Sequence, residues 1–560
     1  MPDDLPALSF SSTGRPVAAP WMDWGPEAFD LAHTSARPIL LILGGAWDGS
    51  DASLAAALVE PRLAVLAERF VTVRVDAEER PDVAARYGPA PAVLALTPDG
   101  EPFDRAEPDI DSVLTLVTSA LARWDGDRDD VLSEAETARI TRAAASAATL
   151  LRTSGALTPA ILDITLDLIE SGQAGASAQA SRLWRYAHHR RRTPGANARA
   201  RSAAAEALRR ASEPDGICRA GDLGDALLAV AELAREDVDV VDDLRERMEE
   251  AVAFLDVALG DPSGGLRHAL PPAGAPIFAD SSARAARGLI EAGSAFDRRD
   301  WTARGLRAVE FIAVRLRAGE VGVYHAWDGD ARILGLLGDQ VETLLALLAA
   351  YEVSGVTSYL EHARGLARAL ERGWFERGHG FLDTAEGHEE LGLLAEPHIP
   401  FAANVAAAEA NLWLARLTHD ERYLGVALEA LAAVTPGFES HGVAVASFAR
   451  VVDRFLTAEP ELKVVAEFTA GEPDRVADPL HRAALRLPVA ARTVQRLSLA
   501  TDVKLMRDLG LPIDRPRVAY VCTGRECSAP ITDAEALVAA AASLVGFGGD
   551  LDDDDEGDRD

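Results

Sequence analysis

Several side chains in this chain have the types and the placement to do chemistry. His268, His325 and Trp327 fall in or near turns between helical segments, and His398 sits beside Glu396 in the irregular run Glu396-Pro-His-Ile-Pro400. An imidazole can take and return a proton near neutral pH, and an indole offers a flat apolar face for a sugar ring. Glu396 and Asp339 would supply carboxylates, and glycoside chemistry needs two such groups at a defined separation. The Glu396–Pro400 run has no helical reason to hold a histidine. His398 and Glu396 are therefore the expected catalytic residues of a cavity, with His268, His325, Trp327, Asp339 and Asn404 as its expected ligand contacts. Asp339 has a competing duty, because Asp339-Gln-Val-Glu342 has the pattern of a helix capping box.

Cys522 and Cys527 are spaced C-x4-C. They can form a disulfide, supply half of a metal site, or remain partly buried thiols at a strand end; the spacing is not that of a redox CxxC. Asp76, Glu78, Glu79, Arg80 and Asp82 follow a strand, and read either as a binding edge or as a turn in which Arg80 pairs with its neighbours. His188-His189-Arg-Arg-Arg192 reads as a solvated or salt-bridged helix end. No phosphate-cradling glycine loop and no HExxH motif is found, so no cofactor and no metal are expected.

The elements that must position these groups divide the 560 residues into several domains. Apolar residues make up 48%, enough for sizeable cores. Residues 1–125 alternate strands and helices: the apolar run Pro38-Ile-Leu-Leu-Ile-Leu43 as a buried central strand, further strands at 71–75, 92–96 and 101–106, and a closing helix at 110–124. That order is thioredoxin-like. Residues 126–136 are acidic and read as a linker. Residues 137–455 are rich in Ala, Leu, Arg and Glu and contain a repeat. The turns Gly216-Ile217, Gly265-Leu266, Gly322-Val323 and Gly380-Phe381 each precede a helix opened by Asp225, Asp280, Asp339 or Asn404. Second helices start near Leu244, Trp301, Tyr359 and Tyr423. A repeat of about 55–65 residues fits one helical hairpin per unit, in an α/α toroid or a solenoid. Residues 456–545 return to α/β character, and 546–560 are expected to be an acidic, disordered tail.

Asp plus Glu is 89 against 56 for Lys plus Arg, a net charge of −33, and Lys463 and Lys504 are the only lysines. Such a surface repels nucleic acid, and an acidic, lysine-poor chain fits a salt-rich, halophilic cytoplasm. The opening MPDDLPALSF lacks the basic and apolar regions of a signal peptide, and no apolar run reaches about 18 residues, so a soluble, cytoplasmic protein with no membrane partner is expected.

Val75-Asp-Ala-Glu-Glu-Arg-Pro-Asp82, Tyr87 and Leu96-Thr-Pro-Asp-Gly-Glu-Pro-Phe103 resemble the thioredoxin-domain family that includes the spermatogenesis-associated, YyaL-like members. Trp24-Gly-Pro-Glu-Ala-Phe29 is similar to that family's entry segment. Leu337-Gly-Asp339, Gly380-Phe-Leu-Asp-Thr384 and Tyr423-Leu-Gly-Val-Ala-Leu428 are similar to its toroid segments, and Ala519-Tyr-Val-Cys522 with Cys527-Ser-Ala-Pro530 to its C-terminal end. The resemblance implies a thioredoxin-like domain joined to an (α/α)6 toroid of the kind found in six-hairpin glycosidases and sugar epimerases, followed by a small α/β segment. It also implies a cis-proline at Pro91. The family's Cys-His-Trp-Cys-His motif is replaced by Ala46-Trp47-Asp48-Gly49-Ser50-Asp51, a degenerate redox loop without a thiolate. The function these features imply is a non-redox binding or scaffold module with a toroid cavity for a carbohydrate or other small molecule. The alternatives are a carbohydrate-active enzyme, epimerase or glycosidase, and a thiol oxidoreductase acting through Cys522 and Cys527.

Overall fold

The computed structural model describes residues 21–544, apart from 46–59, 151–153, 173–176, 213–216, 237–242, 271–273, 467–477 and 525. Trp47, Asp48 and Ser50 of the degenerate loop and the acidic tail lie outside the described residues.

The first domain comprises α1 (Pro26–Ser35), β1 (Ile39–Gly44), α2 (Pro61–Ala67), β2 (Val71–Asp76), α3 (Pro81–Tyr87), β3 (Ala92–Leu96), β4 (Pro102–Ala106) and α4 (Ile110–Gly126). The sheet order is β2-β1-β3-β4. β1 runs parallel to β2, with Ile39 opposite Val71, and antiparallel to β3, which pairs antiparallel with β4. Every residue of β1 is buried because side chains alternate between two covered faces. Ile39, Leu41 and Leu43 pack with α1 and α3, and Leu40 and Ile42 pack with α2 and α4. The Ala90–Pro91 peptide is cis. The acidic segment after α4 is helical: α5 (Arg128–Leu150) opens on it, with Asp129 and Asp130 in its first turn, where carboxylates favour the positive helix end, and with Val131 and Ala135 buried.

Twelve helices then build a closed double ring. The outer helices are α6 (Ala160–Glu170), α8 (Ala196–Ser212), α10 (Arg245–Val257), α12 (Arg299–Phe311), α14 (Thr357–Gly373) and α16 (Arg422–Val434). The inner helices are α7 (Ala178–Arg191), α9 (Ala220–Ala234), α11 (Ala279–Ala295), α13 (Leu337–Ser354), α15 (Phe401–Thr418) and α17 (Ala444–Leu456). Each inner helix packs on the next, and α17 packs back on α7, so the repeat closes into a toroid and does not run on as a solenoid. Inner helices α9, α13 and α15 are apolar nearly all round, as helices covered on both sides must be, whereas α7 buries Arg182 and Arg185. Where α9 and α11 cross, Gly224 and Gly288 meet so closely that a Cβ on Gly288 would stand 2.2 Å from the Gly224 carbonyl oxygen. Short ladders tie the turns: β5 (Cys218–Arg219) with β6 (Ala269–Leu270), β7 (Ile277–Phe278) with β8 (Tyr324–Trp327) and β9 (Ala331–Leu334), and β10 (Phe375–Glu376) with β11 (Gly380–Phe381).

The last domain contains β12 (Glu461–Ala466), α18 (Asp478–Leu485), β13 (Thr493–Ser498), α19 (Val503–Asp508), β14 (Val518–Thr523), β15 (Glu526–Cys527) and α20 (Ala534–Leu544). Its sheet order is β13-β12-β14-β15, with β12 parallel to β13, antiparallel to β14, and β14 antiparallel to β15. Strand order, polarity and helix placement repeat those of the first domain, so the C-terminal α/β segment is a second thioredoxin-like fold. Cys522 and Cys527 face each other across the β14–β15 hairpin and form a disulfide, which removes the alternatives of free thiols and of a half metal site. Cys218 is free and buried. No helix among the described residues is long and apolar enough to cross a membrane.

The two thioredoxin-like domains sit at opposite ends of the toroid. The first packs on the glycine turns at the N-terminal ends of the inner helices. The loop between β11 and α15 inserts Leu393 and Leu394 into its core, and Tyr87 locks them by donating to the Gly100 carbonyl at 2.8 Å while accepting from the Leu393 amide at 3.0 Å. The second packs on the C-terminal ends, where orphan carbonyls need donors. His481 donates to the Glu352 carbonyl at 2.8 Å, Gln495 to Leu417 at 3.1 Å, and Arg486 to Ser294 at 3.1 Å.

Candidate functional site

All six inner helices contribute to a central cavity of about 520 Å³. Its charged lining includes Arg182 from α7, Asp225 from α9, Arg284 and Arg287 from α11, Glu342 from α13 and Glu409 from α15. At its floor Glu409 is ringed by guanidinium groups: Arg450 at 3.0 Å, Arg287 and Arg454 at 3.2 Å, and Arg182 at 3.9 Å. Burial disfavours the Glu409 carboxylate, but these four charges outweigh it and hold the group well below the usual range. Arg182 also pairs with Glu232 at 2.9 Å; burial is again outweighed, and Glu232 is held down at about 2.

The upper wall behaves differently. Arg284 pairs with Asp225 at 2.6 Å and Asp222 at 3.1 Å. Glu342 has no hydrogen-bonding partner among the described residues. Burial pushes its carboxyl up to about 7, with Asp225 adding to the shift and Arg284 opposing it. A carboxyl half-protonated near neutral pH, beside a second carboxyl held by arginine, can donate or accept a proton. Sequence reasoning placed Glu342 in a capping box and passed over Glu409, Arg284 and Arg287. The available signal was a single charge inside an otherwise apolar helix, as Glu409 is in Ala406-Ala-Ala-Glu-Ala-Asn-Leu-Trp413.

None of the seven site residues expected from sequence is among the side chains lining this cavity. His325 and Asp339 pair at the junction with the first domain, Nδ1 to Oδ1 at 2.8 Å, and His325 Nε2 donates to the Glu78 carbonyl at 3.0 Å. Burial pulls the His325 pKa down, but the Asp339 carboxylate more than offsets it and lifts it to about 9. Asp339 does not cap its own helix, whose N-cap is Leu336. Its Oδ1 accepts from the Asp280 amide at 3.2 Å, capping the neighbouring α11. Asn404 clamps the Phe381 backbone, accepting from N–H at 2.7 Å and donating to C=O at 2.8 Å; Gln340 clamps Val323 in the same way. Asp225 lies inside α9, not at its start, and Asp280 accepts from the adjacent Ser281 amide at 2.6 Å. These polar side chains serve the turns and the adjoining helix, where buried backbone groups need partners.

His268 lies 3.3 Å from Glu78, its ring tilted over Phe278, which stacks on His325 on its other side. Trp327 sits edge-on to Phe311 with Arg315 over its face. Glu396 accepts from Arg142 at 3.0 Å, while Arg142 also pairs with Glu101. The neighbouring His398 is held below its usual pKa, chiefly by desolvation and also by Arg86, with Asp383 opposing. The acidic segment after β2 is both a self-paired turn and a docking edge. Asp76 accepts from the Glu78 and Glu79 amides, Arg80 pairs with Asp82 at 2.9 Å, and the same segment reaches Arg219, His388, Glu389 and Arg332 of the toroid. At the other end, His189 and Arg190 of the basic cluster pair with Glu236 and Asp453.

No curated protein matches the chain. Solved structures similar to it include cellobiose 2-epimerase from Bacillus thermoamylovorans, at 8% identity over 47% of this chain and 75% of that one (TM-score 0.39). D-mannose isomerase matches at 13% identity over 50% and 86% (TM-score 0.42). Unsaturated glucuronyl hydrolase from Bacillus sp. GL1 matches at 15% identity over 50% and 85% (TM-score 0.40). Residues 11–138 match the family model described as Thioredox_DsbH, a protein of unknown function, DUF255. With its sheet order and its turn after β2, the first domain is thioredoxin-like and matches the DsbH/DUF255 family model, and in this chain it is joined to an (α/α)6 toroid.

Proposed function

We propose that the toroid cavity binds a small, hydroxyl-rich molecule of mono- or disaccharide size, and that the first domain caps the toroid without redox chemistry. The observation that carries this reading is Glu342, a carboxyl without a hydrogen-bonding partner among the described residues, in a cavity whose other charges are paired. A volume of about 520 Å³ falls within the roughly 300–1,000 Å³ of small-molecule sites. Its alternating carboxylates and guanidinium groups accept and donate as vicinal hydroxyls require. The lining carries no aromatic ring among the described residues, so recognition would be polar and not by stacking. Residues 1–217 contain no cysteine, so the first domain has no thiolate to offer. The test is a thermal-shift screen of mono- and disaccharides in molar KCl. A ligand at 100 times its Kd stabilises by about 2.7 kcal/mol, and Glu342→Gln is expected to reduce that shift. No shift with any sugar overturns the reading.

A second reading, a carbohydrate-active enzyme, is favoured by the Glu342 titration near pH 7 beside Asp225. In that reading Glu342 is the proton donor and Asp225 the carboxylate partner. NMR of a bound sugar would then show epimerisation or hydrolysis by the wild type and none by Glu342→Gln. Binding without turnover leaves the binding module.

A further inference from the structure

Where the first domain meets the toroid, Asp339 Oδ2 and His268 Nδ1 are buried polar atoms with no hydrogen-bonding partner among the described residues, while His268 Nε2 and Glu78 Oε2 face each other at 3.3 Å. Buried polar atoms are nearly always satisfied, and a cluster of exceptions calls for a ligand or water. Asp339 is 1% exposed and His325 2%. Asp280, His325 and Asp339 each offer a donor atom, and these atoms lie within 4.8 Å of one another. Donors around one ion at about 2.1 Å stand roughly 3–4 Å apart, so a small inward movement of these side chains would bring all three onto a single centre. From these three residues and the buried, unpartnered Asp339 Oδ2, we infer a binding site for a divalent first-row transition-metal cation.

The surroundings of His325 match those of a metal-bound imidazole. Such a ligand usually donates its other N–H to a backbone carbonyl or carboxylate, which fixes the ring and its tautomer. Here Nε2 donates to the Glu78 carbonyl at 3.0 Å, which turns Nδ1 toward Asp339. The Asp280 amide and His325 Nδ1 both meet Asp339 Oδ1, which leaves Oδ2 for an ion; an ion on Nδ1 displaces the proton that Nδ1 shares with Oδ1 and releases it to solvent. Asp280 accepts one local amide hydrogen bond and is partly exposed, giving the site an open side. One imidazole and two carboxylates suit Zn²⁺ or Mn²⁺; Mg²⁺ prefers an all-oxygen shell that keeps several waters. Glu78 belongs to the first domain and the three donors to the toroid, so ion binding and docking of the first domain share one hydrogen bond. Nothing in the linear spacing pointed to this centre, because Asp280 and Asp339 are 59 residues apart.

The test uses the full chain, stripped with a chelator and titrated by calorimetry with Zn²⁺, Mn²⁺ or Mg²⁺ alone. One Zn²⁺ or Mn²⁺ per chain is expected, with Mg²⁺ at least tenfold weaker. Co²⁺ should give a visible d–d band. Asp339→Asn and His325→Gln should lower Zn²⁺ affinity at least 100-fold. Asp280→Asn, at the partly exposed edge, should keep the fold and lower affinity at least tenfold, with loss of the Co²⁺ band. If the two buried variants do not fold, Asp280→Asn decides. Absence of stoichiometric binding, equal affinity for Mg²⁺, or an Asp280→Asn variant that binds like wild type overturns the site.

Discussion

The two thioredoxin-like domains share a strand order and differ in what their sheets face. In the first, both faces of β1 are apolar and are covered by the domain's own helices. It docks on the toroid through the segment after β2, whose acids meet the side chains of Arg219, His268, Arg332 and His388 in the turns at that end. In the second, β12 is equally buried but reads Glu461-Leu-Lys-Val-Val-Ala466, with Glu461 and Lys463 on its toroid side. Lys463 donates to Gln495 at 2.9 Å across the strand pair, to the Arg416 carbonyl at 3.4 Å, and pairs with Glu461 at 3.1 Å; burial pulls its pKa down, with Glu461 opposing. The helix ends explain the contrast. The turns at the N-terminal ends present Arg219, Arg332 and His388, which pair with carboxylates, whereas the C-terminal ends present carbonyls that need donors. One topology thus caps both ends of the ring with opposite docking chemistry.

The strongest test of that contrast removes one charged partner at each end. Lys463→Ala leaves Glu461 buried without its cation, and Arg80→Ala leaves Asp82, 4% exposed, with His388 alone. Losing one member of a buried pair costs about 3–5 kcal/mol. Each variant should destabilise its own end, read by hydrogen exchange in that domain. Losses below about 1 kcal/mol would mean that these charges do not hold the domains.

The next effect concerns pH. Burial holds the His481 pKa down at about 4, with Arg496 adding and the Glu352 carbonyl opposing. A neutral buried histidine with a depressed pKa supports the fold above about 6.5, and that support drains away as pH falls from 6.5 to 4, by about 3 kcal/mol in all. Glu352 beside it is pushed up to about 7 by burial and titrates in the opposite sense. His481→Gln keeps a donor for the Glu352 carbonyl and leaves Glu352 unchanged, so the difference between the two proteins isolates His481. Stability of wild type relative to the variant should fall steadily from pH 6.5 to 4. A difference independent of pH would show that His481 is not held neutral.

A smaller effect belongs to the second domain alone. The Cys522–Cys527 bridge closes a short loop, for which the chain-entropy relation gives about 2 kcal/mol. Cys522→Ser with Cys527→Ser should lower the stability of the second domain by that amount and leave exchange in the first domain unchanged. Equal loss in both domains would mean that they unfold together through the toroid. The smallest effect per group is salt. With a net charge of −33, screening should raise the unfolding midpoint from dilute to molar KCl, and a flat midpoint would count against adaptation to salt.

Much of the architecture was legible in local pattern. Ile39 to Leu43 read as a buried strand because an unbroken apolar run has no other use in an α/β domain. The helix starts read near Leu244, Trp301, Tyr359 and Tyr423 fall close to the observed starts at Arg245, Arg299, Thr357 and Arg422. The second thioredoxin-like fold was only partly legible, because Glu461, Lys463 and Gln495 break the apolar pattern of its central strands and are satisfied by groups of another domain. His398 and Trp327 attracted attention through residue type, whereas the cavity charges Glu342, Arg284 and Glu409 sit in apolar helices that looked like core.

Local sequence by itself determined where strands and helices form, since periodicity, turn glycines and apolar runs act over a few residues. It also determined that the first domain has no thiolate. Tertiary structure alone decided that the hairpins close into a ring, that Asp339 serves a neighbouring helix and His325, and that Glu409 gathers arginines from α7, α11 and α17. A buried charge is stable only beside its partner, and here partners such as Arg182 and Glu409, 3.9 Å apart in space, come from helices at opposite ends of the toroid sequence, a separation that no local pattern encodes.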